Sequence, residues 1–484
     1  MIVSFIFSFL FLSLITLFFT PAKKINLIRQ IGLVSSGLTF IASFFLMLSL
    51  SLNNYYFQNI IVYKVGLEFL NLSFLVGFDG ISIFFFVLSS FLIFLCIIFI
   101  WEEAFLKEYV IILLAINLLL LLIFSVLDVL LFYIFFEAIL IPMYLMIGLW
   151  GSRERKIRAI YLFFFYTLVG SLCLLLALIY IYSRLGTLNY EYLYFAKFSF
   201  YEQCWLWFAF FLSFASKVPL FPFHLWLPEA HVEAPTVGSV LLAGILLKLG
   251  TYGLIRFNLN LFPDASIFFS PLVFTLSILG IIYASMSALR QTDLKRIIAY
   301  SSVAHMNLVT MGIFSFNSIG IQGSIIQSIS HGFVSSAMFF LIGILYKRYH
   351  SRQVLYFSGL TQTMPLYSAM FFIFTMANIA LPGTSSFVGE FLILLGIFKI
   401  SALAAILAGL GVILGGPYSL WVYNRICFGN IKLENTLYYK DINTREFFIL
   451  SSLLFLVLLL GIYPKFFLRY LQFSSANYLF ALFV

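Results

Sequence analysis

Long apolar runs follow one another along almost the whole chain, and short segments that hold most of the charged residues separate them. Because about 20 apolar residues cross the hydrocarbon core of a bilayer as one helix, each run predicts a membrane-spanning helix. The runs lie at 1–20, 30–51, 80–100, 109–126, 129–150, 159–182, 205–226, 236–257, 269–289, 297–315, 319–345, 366–398, 401–424 and 447–463. The pattern predicts an all-α polytopic membrane protein with about fourteen transmembrane helices, the first of which is retained rather than removed as a signal peptide.

Composition narrows the choice of cofactors and partners. Of 484 residues, 63% are hydrophobic and 9% are charged, which lies outside the range of soluble domains. The net charge of +9 resides in short loop clusters such as 153–158 and 347–352, so we expect no nucleic-acid partner. The four cysteines are isolated from one another and form no CxxC pair. We therefore expect neither a metal nor a redox cofactor on this chain.

The basic residues predict the orientation. Of the 27 Lys and Arg residues, 18 lie in the loops that follow odd-numbered runs, seven lie on the other side, and Lys217 and Lys248 lie inside runs. Basic loops stay on the negative side of the membrane, so we expect both termini on the positive side. The negative-side loops are 21–29, 101–108, 151–158, 227–235, 290–296, 346–365 and 425–446.

An internal repeat is visible at an offset of 165 residues. LAGILLKLG (242–250) resembles LAGLGVILG (407–415), and the same shift moves Pro219 and Pro222 beside LPGTSS (381–386), where Pro382 and Gly383 predict a second helix break. Small residues also recur in membrane helices for packing alone, but paired broken helices are typical of transporter cores. We predict one membrane domain over 1–484, divided into N-terminal helices (1–108), a first repeat (109–257), a second repeat (269–424) and a C-terminal helix and tail (425–484).

Four charged side chains lie well inside the runs: Glu137, Lys217, Lys248 and Glu390. Each costs at least about 2.5 kcal/mol to insert, and such groups commonly mark ion or proton paths. The alternative for Lys217 is that its long side chain extends to the lipid headgroups. Pro219 and Pro222 cannot donate, so we expect the carbonyls of Ala215 and Val218 to lack their helix donors and to hold water. The alternative for these prolines is a kink that has only a structural role.

The helix dipoles favour the charges beside these breaks. Lys217 is predicted near the C-terminus of one half-helix, where a cation is stabilised, and Glu390 near the N-terminus of another, where an anion is stabilised. His305 and His331 lie in apolar runs and are either proton relays or hydrogen-bonded core residues. His224 and His231 flank the loop after the first break, where they form an entrance or an ordinary cap. No second ligand follows these histidines at helical spacing, which argues against a metal site.

Four long segments resemble one family. FYIFFEAILIPMYLMIGLWGSRERKIRA (132–159), FASKVPLFPFHLWLPEAHVEAPTVGSVLLAGILLKLGTYGL (214–254), LKRIIAYSSVAHMNL (294–308) and ANIALPGTSSFVGEFLIL (377–394) are similar to NADH-ubiquinone oxidoreductase chain 4. That family comprises antiporter-like membrane subunits of respiratory complex I. The resemblance covers roughly 25–465. It implies fourteen helices with two inverted five-helix repeats, each with one broken helix, and both termini on the positive side.

The resemblance also implies roles. Glu137 is similar to the carboxylate that modulates the central lysine, Lys217 to that lysine, Lys248 to the connecting lysine and Glu390 to the terminal carboxylate that releases the proton, with His331 on the stretch between them. NADH, FMN, iron–sulfur clusters and ubiquinone would then be bound by other subunits. Chains 2 and 5 would be neighbours, and a phospholipid such as cardiolipin a further partner. The location would be the mitochondrial inner membrane, with both termini in the intermembrane space and the chain encoded in the organelle.

Two other functions remain open from the sequence. One is a subunit of a multi-subunit sodium/proton antiporter, which shares this ancestry and most of the buried charges. The other is a purely structural membrane subunit whose buried charges only pair with one another.

Overall fold

The computed structural model describes residues 2–51, 56–64, 73–431 and 440–483. Its main helices are Ile2–Phe19, Ile25–Ser49, Ser82–Phe99, Leu106–Ser125, Val129–Trp150 (in two segments that meet at Ile139), Lys156–Leu185, Phe200–Lys217, Trp226–Glu233, Thr236–Leu261, Pro263–Leu289, Leu294–Ile313, Ser318–Tyr349, Pro365–Asn378, Ser385–Phe398, Ala402–Cys427, Thr444–Ile462 and Lys465–Phe483. The predicted loop 425–446 falls partly outside the described residues.

Helices occupy every predicted apolar run, and the all-α polytopic class is confirmed. Within the described residues, eleven helices are long and apolar enough to cross a membrane. The predicted number of fourteen stays a prediction, because two predicted runs are broken in the middle and Leu294–Ile313 is not among the eleven. The central helices Thr236–Leu261 and Ser318–Tyr349 are buried along the whole of their apolar segments, and the other helices pack around them.

Besides short helices such as Tyr190–Phe195, a strand pair and a C-terminal helix were absent from the sequence prediction. Gln58–Lys64 and Ser73–Phe78 pair as an antiparallel hairpin between the second and third helices, with Ile61 opposite Val76. The tail after the last predicted run is itself a helix, Lys465–Phe483. Both segments are short or carry polar residues, so neither forms the long apolar run on which the prediction relied.

The first broken helix ends at Lys217 and resumes at Trp226. The carbonyl of Ala215 was expected to lack a donor from the protein, and this expectation was wrong. The amide N–H of Leu220 donates to it at 3.1 Å. Leu220 is the first residue after Pro219 that has an N–H, and the turn brings it back to the oxygen that the proline leaves free. The carbonyl of Ser216 is also used, because the indole N–H of Trp226 donates to it at 2.9 Å.

The second broken helix contains Pro382 and Gly383 between Pro365–Asn378 and Ser385–Phe398. Gly383 has a φ of +94°, a backbone conformation that favours glycine. The hydroxyl of Ser386 donates back to the carbonyl of Ala377 across the break. The two half-helices are therefore tied together although the helix itself is interrupted.

Helix bounds recur at the 165-residue offset. Shifted by 165, Val129–Trp150, Lys156–Leu185 and Thr236–Leu261 fall within three residues of Leu294–Ile313, Ser318–Tyr349 and Ala402–Cys427. The half-helix Trp226–Glu233, shifted likewise, ends where Ser385–Phe398 ends. This agreement supports the two predicted repeats, whose boundaries stay predictions. Five crossings leave the chain on the opposite side of the membrane from where the repeat began. The second copy therefore starts on that side and is inverted relative to the first.

Gly250 sits against the end of the first half-helix. A Cβ added there would lie 2.4 Å from Val218 Cγ2 and 2.9 Å from the carbonyl oxygen of Phe214. We expect Gly250→Ala to destabilise the assembled protein by about 2 kcal/mol through overpacking. Gly415, its counterpart 165 residues later, has only the Tyr418 hydroxyl within 4 Å, at 3.8 Å. Gly415→Ala should therefore be neutral or slightly stabilising in a thermal unfolding series, and equal losses at both positions would contradict the prediction.

Candidate functional site

Lys217 is the last residue of its half-helix and is 3% exposed. Its Nζ lies 4.7 Å from the ring centre of Phe136 and 5.9 Å from that of Phe163. Aromatic faces attract an ammonium group, and the attraction is larger where water is excluded. The side chain is thus enclosed by the protein and does not extend to the headgroups.

Glu137 follows Phe136 directly and is half-buried. Its carboxylate lies within electrostatic range of Lys217 and close to Ser171, whose hydroxyl donates to the carbonyl of Leu168 at 2.9 Å, and Oε1 has no hydrogen-bond partner in the structure. Across the described residues, no ion pair within 4 Å joins Glu137 to Lys217. The two groups therefore interact through space, with the aromatic side chains of Phe136 and Phe163 around the ammonium.

Lys248 is fully buried in the middle of Thr236–Leu261. Its Nζ donates to the carbonyl of Ala243 at 2.5 Å and contacts Nδ1 of His331 at 2.8 Å. The helix has π-helical turns at Leu242–Leu246 and Leu254–Asn258, on either side of this lysine. Such turns are wider than α-helical ones and are frequent at functional sites.

Two histidines and Glu390 continue from Lys248. The ring centres of His331 and His305 are 5.9 Å apart, and Nδ1 of His305 lies 2.9 Å from Oε1 of Glu390. Gln327 donates to the same oxygen at 3.0 Å. These contacts form one line of neighbouring ionisable groups, which leads from the first predicted repeat into the second. We call this line the buried relay; its members are Lys248, His331, His305 and Glu390.

The sequence did not single out two polar residues of the site, Ser171 and Gln327. Ser171 lies in an apolar helix that also carries Thr167, and small hydroxyl residues are too common in membrane helices to mark a site. Gln327 precedes His331 by four residues and so lies on the same helix face. An amide one turn from a buried histidine is the signal that would have found it.

The remaining histidines are not brought to the relay by a direct contact. His224 is 2% exposed, stacks on Phe221 and meets Tyr283 edge-on, and His231 is fully buried and stacks on Phe339. Neither ring lies at an exposed surface, and their ring nitrogens have no hydrogen-bond partner. A role for them at an entrance stays a prediction, and it requires water to reach both rings.

A further buried charge, Arg256, lies one residue before the end of the run 236–257 and was counted with the basic residues of the positive side instead of with the buried charges. Arg256 is 4% exposed and donates to Asp79 at 2.8 Å, with the rings of Phe57, Tyr190 and Tyr252 around its guanidinium. Asp79 also accepts from the backbone N–H of Ser82 at 2.8 Å and so caps a helix. Burial raises the pKa of Asp79, but Arg256 and the hydrogen bonds outweigh burial and hold that pKa below its ordinary value.

No group of three or more His, Cys, Asp or Glu side chains suited to a metal ion occurs in the part of the chain that the structure describes. The ionisable groups lie in a row of pairs instead of converging on one point. Such a row suits the transfer of protons between neighbours, since Lys, His and Glu exchange protons and two of its three steps are direct contacts, with a gap only between the rings of His331 and His305.

The helices and the row of buried ionisable groups define a polytopic ion-translocating membrane protein. Residues 126–415 match the family model described as NADH:quinone oxidoreductase/Mrp antiporter, TM, and the chain belongs to that family. It is 53% identical to NADH-ubiquinone oxidoreductase chain 4 of Chondrus crispus over 95% of this chain and 94% of the relative, and 52% identical to the protein of that name from Arabidopsis thaliana over 96% and 94%. The predicted resemblance to chain 4 is confirmed.

Solved structures agree with these relatives. A chain of respiratory complex I from Thermus thermophilus superposes with a TM-score of 0.91 at 30% identity, covering all of both chains. A chain of the Mrp complex from Dietzia sp. superposes with a TM-score of 0.84 at 20% identity, covering all of this chain and 99% of the other. The second likeness concerns the fold alone.

Proposed function

We propose that this chain is a proton-translocating membrane subunit of respiratory complex I. The observation that carries the proposal is the buried relay, in which Lys248 contacts His331 and His305 contacts Glu390. The relatives named NADH-ubiquinone oxidoreductase chain 4, about half identical over nearly the whole chain, supply the enzyme to which it belongs. Electron transfer from NADH to ubiquinone takes place in partner subunits, and this chain moves protons.

Proton transfer begins at Lys217. The Glu137 carboxylate and the surrounding rings stabilise its ammonium form, and withdrawal of the carboxylate removes part of that stabilisation. The proton then passes to Lys248, whose Nζ can give it to Nδ1 of a neutral His331. His305 receives it across the gap between the two rings, by a water molecule or by ring rotation, and Glu390 accepts it last. Gln327 fixes the Glu390 oxygen that faces His305.

Glu137→Gln should weaken this coupling. The amide keeps the size of the side chain but removes the charge that stabilises protonated Lys217, and about 1.4 kcal/mol changes an equilibrium tenfold. We expect the protons pumped per NADH oxidised to fall, and the rate of coupled NADH oxidation to fall about tenfold. The measurement is acidification by the purified complex in liposomes. Glu108→Gln, at an exposed helix start, is the control, and unchanged pumping in Glu137→Gln would disprove the coupling.

Membership of the complex is tested by a native gel of solubilised membranes, probed for this chain and stained for NADH dehydrogenase activity. Co-migration in a very large active band is expected. The neighbours we propose are chains 2 and 5 and a bound phospholipid such as cardiolipin. NADH, FMN, iron–sulfur clusters and ubiquinone belong to other subunits. The location is the mitochondrial inner membrane, with both termini in the intermembrane space and the gene in the organelle.

A second candidate function is that of a subunit of a multi-subunit sodium/proton antiporter. The description of the family model that matches residues 126–415 contains Mrp antiporter beside NADH:quinone oxidoreductase, and this favours the antiporter over a purely structural role. A smaller assembly without NADH dehydrogenase activity, together with sodium-dependent proton flux in liposomes, would place this function first.

A further inference from the structure

Three loops meet at one end of the helix bundle, close to Lys295. The N–H of Leu294 donates to the carbonyl of Arg352 at 3.0 Å, and the N–H of Val354 donates to the carbonyl of Thr292 at 3.0 Å. Arg352 also donates to the carbonyl of Val232. These bonds join the segments 290–296 and 346–365 to 227–235, which was predicted as a loop but is mostly the half-helix Trp226–Glu233, and the basic-residue count assigns all three segments to the negative side. Their convergence in one place agrees with that assignment.

The junction of these loops encloses four ionisable side chains: His231, Glu233, Lys295 and Arg352, each at most 2% exposed. Several of their polar atoms have no hydrogen-bond partner, namely Glu233 Oε2, Arg352 Nε and Nη2, and both ring nitrogens of His231. Buried polar atoms without partners are costly, and internal water is the usual way in which proteins satisfy them. Internal water bound at these atoms would join the four side chains of the cluster to one another.

Lys295 leads from this cluster toward the buried relay. Its Nζ donates to the carbonyl of Ala234 at 2.7 Å and to Oγ of Ser239 at 3.1 Å, and that hydroxyl donates to the carbonyl of His231 at 3.0 Å. The His231 ring lies within electrostatic range of both Lys295 and Lys248. Its stacking partner Phe339 belongs to the same helix as His331. His231 is thus an ionisable group in the neighbourhood of both lysines.

We propose that Lys295 is a proton-transfer residue that loads the buried relay from the negative side of the membrane. The ammonium of Lys295 releases a proton through water to a free nitrogen of His231, whose other nitrogen passes a proton to the neutral amine of Lys248. Water on the negative side then returns a proton to Lys295. Burial and the Arg352 charge oppose the ammonium form of Lys295, whereas the carboxylates of Asp293 and Glu233 stabilise it. This inference rests on the proposed function and adds an uptake route to it.

Two substitutions at Lys295 separate proton transfer from structural support. Lys295→Arg keeps a positive charge and donors for Ala234 and Ser239, but a guanidinium does not release its proton in proteins. Lys295→Met removes both charge and donor. We expect the arginine variant to assemble normally and to pump protons at least tenfold more slowly, as a relay without one acid–base group does. Arg296→Met, at a half-exposed pair with Glu229, should assemble and pump normally.

The readouts are the amount of intact complex on a native gel and acidification by the purified complex in liposomes. An arginine variant that pumps at the wild-type rate would overturn the inference, whether or not the methionine variant assembles. Lys248→Met identifies which idea has failed. If Lys248→Met stops pumping but Lys295→Arg does not, only the uptake route is wrong, whereas normal pumping by Lys248→Met would contradict the proposed function itself.

Discussion

Lys217→Met is expected to stop proton translocation by the complex while leaving its assembly close to the wild-type level. Methionine has nearly the length of lysine and is apolar, so it can pack against Phe136 and Phe163 without the cost of burying a charge. It carries no exchangeable proton, and loss of one acid–base group slows a proton transfer on the order of 100-fold. The rate of liposome acidification, measured with the quantity of intact complex, checks this expectation.

Lys399→Met is the matched control for that experiment. Lys399 is exposed just after Ser385–Phe398, so its replacement removes one lysine without touching the buried groups. We expect this variant to pump normally. If Lys217→Met reduced the amount of complex instead, with normal pumping by the complex that remains, Lys217 would be a structural residue. The chain would then be better described as a purely structural membrane subunit.

Asp79→Asn is expected to cost about 3–5 kcal/mol of stability, because it leaves the buried Arg256 charge without its carboxylate. The asparagine side chain retains an oxygen for the N–H of Ser82, so the helix cap is largely preserved and the loss reports on the ion pair. A lower unfolding temperature of the complex is the measurement. Asp128→Asn is the control, since Asp128 caps its helix at 2.9 and 3.2 Å and forms no ion pair in the described structure.

The pH dependence of this ion pair has a definite sign. The folded pKa of Asp79 lies below its ordinary value of 3.8. A depressed carboxyl pKa stabilises the folded state above the unfolded pKa, and the stabilisation disappears as the pH falls through the folded pKa. The difference between Asp79→Asn and wild type should therefore be constant from pH 6 to pH 8. A difference that changed across this range, or an equal loss in Asp128→Asn, would contradict the assignment.

Most of the helix frame could be predicted from the sequence, because a bilayer requires long apolar segments and forbids most others. Prolines marked both helix breaks, because a proline inside an apolar run removes a helix hydrogen bond. The strand pair Gln58–Lys64 and Ser73–Phe78 and the tail helix Lys465–Phe483 were not predicted, since neither must cross hydrocarbon. Arg256 was missed because the end of an apolar run does not reveal whether the next charge faces water or an acidic partner from a distant loop.

The candidate site was predictable in its members but not in its contacts. Charges inside apolar runs are costly enough to stand out, which singled out Lys217, Lys248 and Glu390. The contact of Lys248 with His331 joins residues 83 positions apart, and such a pairing depends on how helices pack. The fate of the Ala215 carbonyl likewise depended on the path of the turn, which local sequence rules do not determine.

The 165-residue repeat has a consequence for the barriers that a proton meets from the two ends of its path. Shifted by this offset, Lys248 falls on Ile413 and Glu390 falls on Leu225, so the two halves share a helix frame but not their ionisable groups. A protein with matched charges in both halves would offer equal barriers to a proton approaching from either end. The different side chains at equivalent positions of the two halves remove that equality. The helix frame is therefore repeated while the path for protons is not, and exchanging ionisable groups between equivalent positions would change the barrier that a proton meets from each end.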